Sequence, residues 1–223
     1  MHTINNVFDK VYVVNLERDK DKRDLIKSKL NQLNIEFEFH QAVDGSRLEN
    51  CKLLRFGNKG AVGCKRSHME IFKQAKLEGL SKILILEDDL FFLKDFNNHF
   101  NNSYEQLLTV DKDWQVLYFG GTNQQRKNFR QYNSIIQKLG NSRLHSTLGI
   151  AHDCKVYDAI LKSEHDNRPI DDIIAEDIND HNYMVFPFLA YQNINKVSST
   201  ADNNNKNQNW YNDLNQVDSS KYF

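Results

Sequence analysis

The chain has 223 residues, enough for one core of ordinary size and too few for two independent ones. Hydrophobic residues make up 39% and charged residues 26%, so a buried core and a wetted surface are both provided for and the chain is globular. Lys and Arg number 29 against 30 Asp and Glu, a net charge of −1 that argues against a nucleic-acid partner.

Charge interrupts every apolar stretch well short of the roughly 20 residues that a membrane-spanning helix needs. Met1 to Phe8 lacks a basic start followed by an apolar block, so no secretory signal is read. Cys51, Cys64 and Cys154 are odd in number and lack C-x-x-C spacing. They read as reduced thiols, with the cytoplasm as the expected compartment.

Lys10 to Leu16 (KVYVVNL) is rich in β-branched residues and ends in charge, as a buried strand does. Leu25, Ile26, Leu30 and Leu33 then recur at helical spacing, which predicts a helix over 21–33. Ile35 to Val43 alternates and stops at Asp44-Gly45, a second strand closed by a turn in which glycine offers positive φ at least cost. Met69, Ile71, Phe72 and Ala75 place a helix over 62–77. Lys82 to Leu93 (KILILEDDLFFL) is the strongest strand signal, and Gln115 to Phe119 is a further strand closed by two glycines. The polar segment 122–134 has the length of a loop that covers a site. A hairpin is expected within 135–150, helices over 155–162 and 170–180, and a last strand over 183–191. Strands alternating with helices predict an α/β fold, a mainly parallel sheet with helices on both faces. From 199 to 223 the chain is Asn-rich and low in aliphatics, a tail either weakly ordered or clamped to the body by Trp210, Tyr211, Tyr222 and Phe223.

Glu87, Asp88 and Asp89 follow KILIL directly. On an extended backbone Glu87 and Asp89 share a face. In open parallel sheets ligands bind beyond the carboxyl ends of strands, where this triplet falls. Three like charges so close raise one another's pKa unless a cation neutralises them, and hard oxygen ligands suit Mg²⁺ or Mn²⁺, especially when a diphosphate adds oxygens. The alternative is a solvated acidic strand end.

Taken in order, these blocks resemble glycosyltransferase family 25, which includes bacterial lipooligosaccharide galactosyltransferases and procollagen galactosyltransferases. Asn15 Leu16 Glu17 Arg18 through Arg23 is similar to its opening NLxR…R pattern, and Ala42 Val43 Asp44 Gly45 to its AVDG turn. Gly60 to His68 (GAVGCKRSH) is similar to its GEIGCxLSH block, with Ala61 where Glu is usual and Arg66 where Leu is frequent. Leu86 Glu87 Asp88 Asp89 matches its LEDD; Pro169 Ile170 Asp171 resembles a PxD element, and Gln192 with Ser198 a terminal QxxxxxS.

The resemblance implies a GT-A fold, a single Rossmann-like sheet forming a catalytic domain over 1–198. It implies a UDP-galactose or UDP-glucose donor, a divalent cation (Mn²⁺ or Mg²⁺) and inversion at the anomeric carbon. Asp89 is then the first choice for a metal ligand, supported by Glu87, with Asp88 facing the ribose or turned into the fold. Arg18 and Arg23 offer forked donors to phosphate or nucleotide, unless they are merely exposed charges at a helix start. Asn15 meets uracil or ribose, or caps the next turn. Asp44 and Gly45 line the donor pocket, and Ser67 and His68 reach toward it, with packing as the alternative for His68. Asp171, at the start of a helix opened by Pro169, is the candidate base, with Glu176 and Asp177 as runners-up. His152, His181 and Gln192 are candidates for a late metal ligand. The acceptor hydroxyl lies on a glycan or on a collagen-like hydroxylysine or galactosyl-hydroxylysine. The rival readings are a metal-dependent phosphotransferase or nuclease, and an inactive nucleotide-sugar-binding module.

Overall fold

In the computed structural model, which describes residues 1–49, 51–52, 54, 58–122, 130–131, 136–139, 144–178, 180–192 and 223, the segments KVYVVN and KILILE lie side by side in one sheet. Their alternation explains why that sheet is buried on both faces. Val11, Val13, Leu84 and Leu86 point into one core, while Tyr12, Ile83 and Ile85 point into the other.

The chain runs α1 (Ile4–Val7), β1 (Lys10–Asn15), α2 (Lys20–Gln32), β2 (Glu38–Gln41), α3 (Lys59–Leu77), β3 (Lys82–Glu87), β4 (Leu90–Phe92) and α4 (Phe96–Val110). It continues with β5 (Val116–Thr122), β6 (Arg130–Gln131), β7 (Ile136–Lys138), β8 (His145–Asp153), α5 (Tyr157–Lys162), α6 (Ile170–Asp177), β9 (Asn182–Val185) and β10 (Ala190–Gln192). The main sheet has the order β2-β1-β3-β8-β5-β9-β7-β6, and β10 pairs with β4 in a separate ribbon. Strands β2, β1, β3, β5, β9 and β6 run one way, and β8 and β7 are reversed. The expected α/β class, mainly parallel sheet and helices on both faces are therefore present: α1, α2 and α4 contribute to one core, and α3, α5 and α6 to the other.

Three expectations need correction. The stretch 82–93 is not one strand, because the polar pair Asp88-Asp89 turns the chain and Leu90–Phe92 leaves to pair antiparallel with β10. The hairpin within 135–150 does not form: β7 pairs with β9 and β6, while β8 inserts between β3 and β5. The last strand, 183–191, divides into β9 and β10, which belong to different sheets.

Helix α4 carried a readable signal beneath its asparagines, since Phe96, Phe100, Tyr104 and Leu107 recur at spacings of four, four and three and all are buried. The covering loop expected at 122–134 lies outside the described residues apart from 122, 130 and 131. The tail expected at 199–223 lies outside them apart from Phe223, whose backbone exchanges hydrogen bonds of 3.0 and 3.1 Å with Phe92. Cys51, Cys64 and Cys154 are free thiols. Among the described residues no helix is long and apolar enough to cross a membrane.

Candidate functional site

Strands β1 and β3 run parallel, with Val14 opposite Glu87, so the loops that follow them open at the same edge of the sheet. The chain after β2 returns to this edge as well, and α3 runs along it. Between them lies a cavity of about 310 Å³. Its wall takes Val14, Leu16 and Arg18 from the end of β1, Ala42 to Ser46 from the turn after β2, and Asn58 to Gly60, Cys64, Ser67 and His68 from α3. Glu87 and Asp88 close it from β3.

The turn after β2 is fixed against α3 by two glycines. A Cβ on Gly45 would collide with the Lys59 carbonyl, and one on Gly63 would collide with the Val43 carbonyl and stand 2.7 Å from the Gly45 nitrogen. Gly45 is therefore required for close approach and not for positive φ, which among the described glycines is found only at Gly79. Ser67 is fully buried and fastens the same joint: its hydroxyl donates to the Gly63 carbonyl at 2.8 Å and accepts from Val43 N–H at 2.9 Å. The structure thus gives Ser67 a bracing role within the wall. Asp44 accepts from Ser46 N–H at 3.0 Å and is ion-paired with Arg18, whose guanidinium holds the Asp44 carboxyl down to about 2. Arg18 spans from the end of β1 to this turn, with its own pKa raised by the same bond.

Each carboxylate at the tip of β3 has a different set of partners. Glu87 accepts from the Thr147 hydroxyl on β8. Burial, and then the charge of Asp89, push its carboxyl up to about 8, with the Thr147 bond opposing them. Asp88 accepts from Asn15 Nδ2 at 2.7 Å, and its pKa is raised by burial against the opposing pull of Lys22 and Asn15. Asp89 is 6% exposed; its Oδ2 accepts from Gln192 Nε2 at 3.2 Å, while its buried Oδ1 has no hydrogen-bond partner among the described residues. The strand ends at Glu87, so the period-two alternation that was to put Glu87 and Asp89 on one face does not extend to Asp89. Glu87 and Asp88 form cavity wall, and Asp89 stands behind them.

Lys22, in the first turn of α2, completes the cluster, with Nζ 3.5 Å from Asp88 and 3.7 Å from Asp89. Burial alone would lower its pKa, but Asp88, Asp89 and Asp19 outweigh burial and the net shift is upward. In sequence it is one charge of the run DKDKR at the start of an amphipathic helix, where a lysine is normally solvated. Asn15 is 1% exposed and bonded to Asp88; Arg23 reaches Asn15 Oδ1 at 3.4 Å and lies 3.7 Å over the Phe39 ring. Both therefore brace the acidic turn, and neither is among the wall residues.

His68 is 1% exposed at the cavity floor, and neither ring nitrogen has a hydrogen-bond partner among the described residues. Asp171 is not a wall residue. Its Oδ2 accepts from Ser146 N–H and its Oδ1 from Asp172 N–H, both at 3.1 Å. It is linked to the cavity nonetheless, because Ser146 precedes Thr147, whose hydroxyl donates to the wall residue Glu87. Glu176 and Asp177 are held by Arg168 at 3.1 and 2.6 Å. His152 packs edge-on against Phe72 with ring centroids 4.9 Å apart, and His181 Nδ1 is 2.6 Å from Asp111 Oδ2. His152 pairs with Ile83 and the His181 carbonyl accepts from Gln115 N–H, so both sit at the opposite end of the sheet. Of the three late candidates only Gln192 meets the acidic turn.

The wall thus draws on each of the first four motif blocks, through Arg18, Asp44 and Gly45, the α3 residues, and Glu87 with Asp88. The family model described as "Glycosyltransferase family 25 (LPS biosynthesis protein)" matches residues 8–159. Procollagen galactosyltransferase 2 of Mus musculus is 29% identical over 136 residues, which cover 54% of this chain and 22% of that protein. The "Probable inactive glycosyltransferase 25 family member 3" of Rattus norvegicus is 30% identical over 129 residues, covering 51% of this chain and 23% of that protein. The chain therefore spans less than a quarter of the length of these curated relatives. With the family model matching well over half of its residues, including all four blocks around the cavity, the chain belongs to glycosyltransferase family 25.

Proposed function

We propose that the cavity binds a UDP-hexose, galactose or glucose, and that the chain catalyses transfer of the sugar to a hydroxyl of a glycan or of a collagen-like hydroxylysine or galactosyl-hydroxylysine. The observation that carries this reading is the convergence of four separated motif blocks on one polar-edged cavity of about 310 Å³. The galactosyltransferase named among the relatives and the lipopolysaccharide pathway named for the family support a sugar donor over a phosphodiester substrate.

The acidic turn fits a divalent cation by its chemistry. It offers hard carboxylate oxygens from Asp88, Asp89 and Glu87, and the orphaned Asp89 Oδ1 is a buried acceptor in want of a positive partner. Among the described residues no group of three or more His, Cys, Asp or Glu side chains is arranged to hold a metal ion, so substrate phosphate oxygens would have to supply part of the coordination. A bound cation would supply charge neutralisation for the diphosphate as it leaves. The chain's own groups do the rest: Arg18 presents a forked donor at the mouth, the Asp44–Ser46 turn shapes the nucleotide end, and His68 offers a neutral ring at the floor. Asp171 is the proposed base for the acceptor hydroxyl, for inversion by attack opposite the leaving diphosphate.

A panel of nucleotide sugars with Mn²⁺, scored for slow donor hydrolysis and repeated with Asp89→Ala, tests the proposal. Turnover of a UDP-hexose that disappears in the variant is expected. No turnover of any UDP-sugar removes the enzymatic reading. The second reading, a binding module without turnover, is favoured by the relatives named as inactive, and it predicts UDP-sugar binding with no hydrolysis in the same panel.

A further inference from the structure

The pairing of Lys22 with two carboxylates of the turn has a consequence for metal loading. The Lys22 side chain is 13% exposed, and those of Asp88 and Asp89 are 11% and 4%, so solvent screens this cluster far less than a surface pair. The ammonium stands 3.5 Å from Asp88 Oδ1 and 3.7 Å from Asp89 Oδ2, the positions from which a cation would neutralise both residues. It leaves the second Asp89 oxygen buried and unpartnered. A further carboxylate, Asp19, lies 4.0 Å from the same Nζ and is more exposed, with 24% of its side chain accessible. The ammonium therefore has an outer anion to swing toward.

We infer that Lys22 is the resident counter-ion of the Asp88-Asp89 turn, and that a divalent cation has to displace its ammonium, toward Asp19, to take the two carboxylates. The inference rests on the proposed metal site. Lys22 holds the like charges together while no metal is bound, and it sets the concentration at which metal enters. The ammonium lies beside one oxygen of each aspartate, whereas a divalent ion would add charge and could offer a partner to the buried Oδ1 of Asp89. Displacement thus runs toward the metal, at an affinity reduced by the competition.

Titration of the full chain with Mn²⁺ alone, by calorimetry and by thermal shift, tests this without donor or turnover. Lys22→Met and Lys22→Gln should each bind Mn²⁺ about tenfold more tightly than the wild type. Lys22→Arg, which keeps the charge, should stay near the wild-type affinity. Both neutral variants should melt lower than wild type without metal and gain more on adding Mn²⁺. In the Lys22→Gln background, Asp89→Asn should abolish the gain. Wild-type binding of Mn²⁺ with unchanged or weaker affinity in both neutral variants overturns the role of Lys22 alone. Absence of Mn²⁺ binding in every variant, with UDP still bound, overturns the metal site and this inference with it.

Discussion

Thr147 donates its hydroxyl hydrogen to the Glu87 carboxylate, so the reversed strand β8 is joined to the tip of β3 at the cavity wall. Thr147 is 5% exposed, and the bond it makes is the larger of two influences that oppose the upward shift of Glu87, the charge of Lys22 being the other. Thr147→Val keeps the shape and removes the donor. It should destabilise the fold by about 1–2 kcal/mol and move the Glu87 carboxyl further above its present value of about 8. Urea unfolding with a carboxyl-detected titration reads both, and an unchanged midpoint would remove the bond from the account of this wall.

Acid should weaken the protein through its buried histidines. Burial first, and then a neighbouring histidine, lower His68 to about 4 and His152 to about 3. The unfolded chain takes up these protons near pH 6.5 and the fold does not, so stability is full above 6.5 and declines as the pH falls toward 4 and 3. At pH 4.5 each ring should cost about 2–3 kcal/mol relative to neutral pH. His152→Leu, against the Phe72 ring, should remove one such share of the decline. Equal pH slopes for variant and wild type between 6.5 and 4.5 would contradict the assignment.

The joint between Gly45 and Gly63 makes a sharper demand. Because a Gly45 Cβ meets backbone, not a movable side chain, Gly45→Ala should cost about 3 kcal/mol and should open the turn that shapes the cavity. Loss of UDP binding should accompany a lower melting temperature. Retention of both would mean that the turn can slide along α3.

The way these features read from sequence follows their physics. KVYVVN and KILILE announced themselves because strands buried on both faces must be apolar throughout, and the acidic triplet stood out against that background. The alternation argument then failed at Asp89, where extended geometry ends and a turn begins. Which strand lies beside which depends on contacts distant in sequence, so nothing local placed β8 between β3 and β5. Ser67 and Asn15 have hydrogen-bonding side chains that suit a ligand or a brace equally. Their burial, at 0% and 1% exposure, makes them braces, and burial is set by packing that no spacing encodes. Lys22 was hidden for the same reason, since a lysine on an amphipathic helix is normally a solvated one.

Asp171 has two possible duties, and Ser146 separates them. Ser146 has φ +94°, a backbone state that costs a non-glycine residue about 1–3 kcal/mol, and Asp171 Oδ2 holds its N–H at 3.1 Å. The adjacent Thr147 is the residue that reaches Glu87, so Asp171 can influence the cavity through the backbone without touching a substrate. Asp171→Asn exchanges one accepting oxygen for an NH₂ and should both destabilise this corner by about 1–2 kcal/mol and abolish donor hydrolysis. Ser146→Gly relieves the strained backbone, so it should raise stability by about 1 kcal/mol and leave hydrolysis near the wild-type rate. In the double variant the fold should recover while hydrolysis stays lost, if Asp171 removes the proton. Recovery of hydrolysis together with stability would make Asp171 a positioning residue and return the search for the base to the cavity wall, where burial raises the carboxyls of both Glu87 and Asp88.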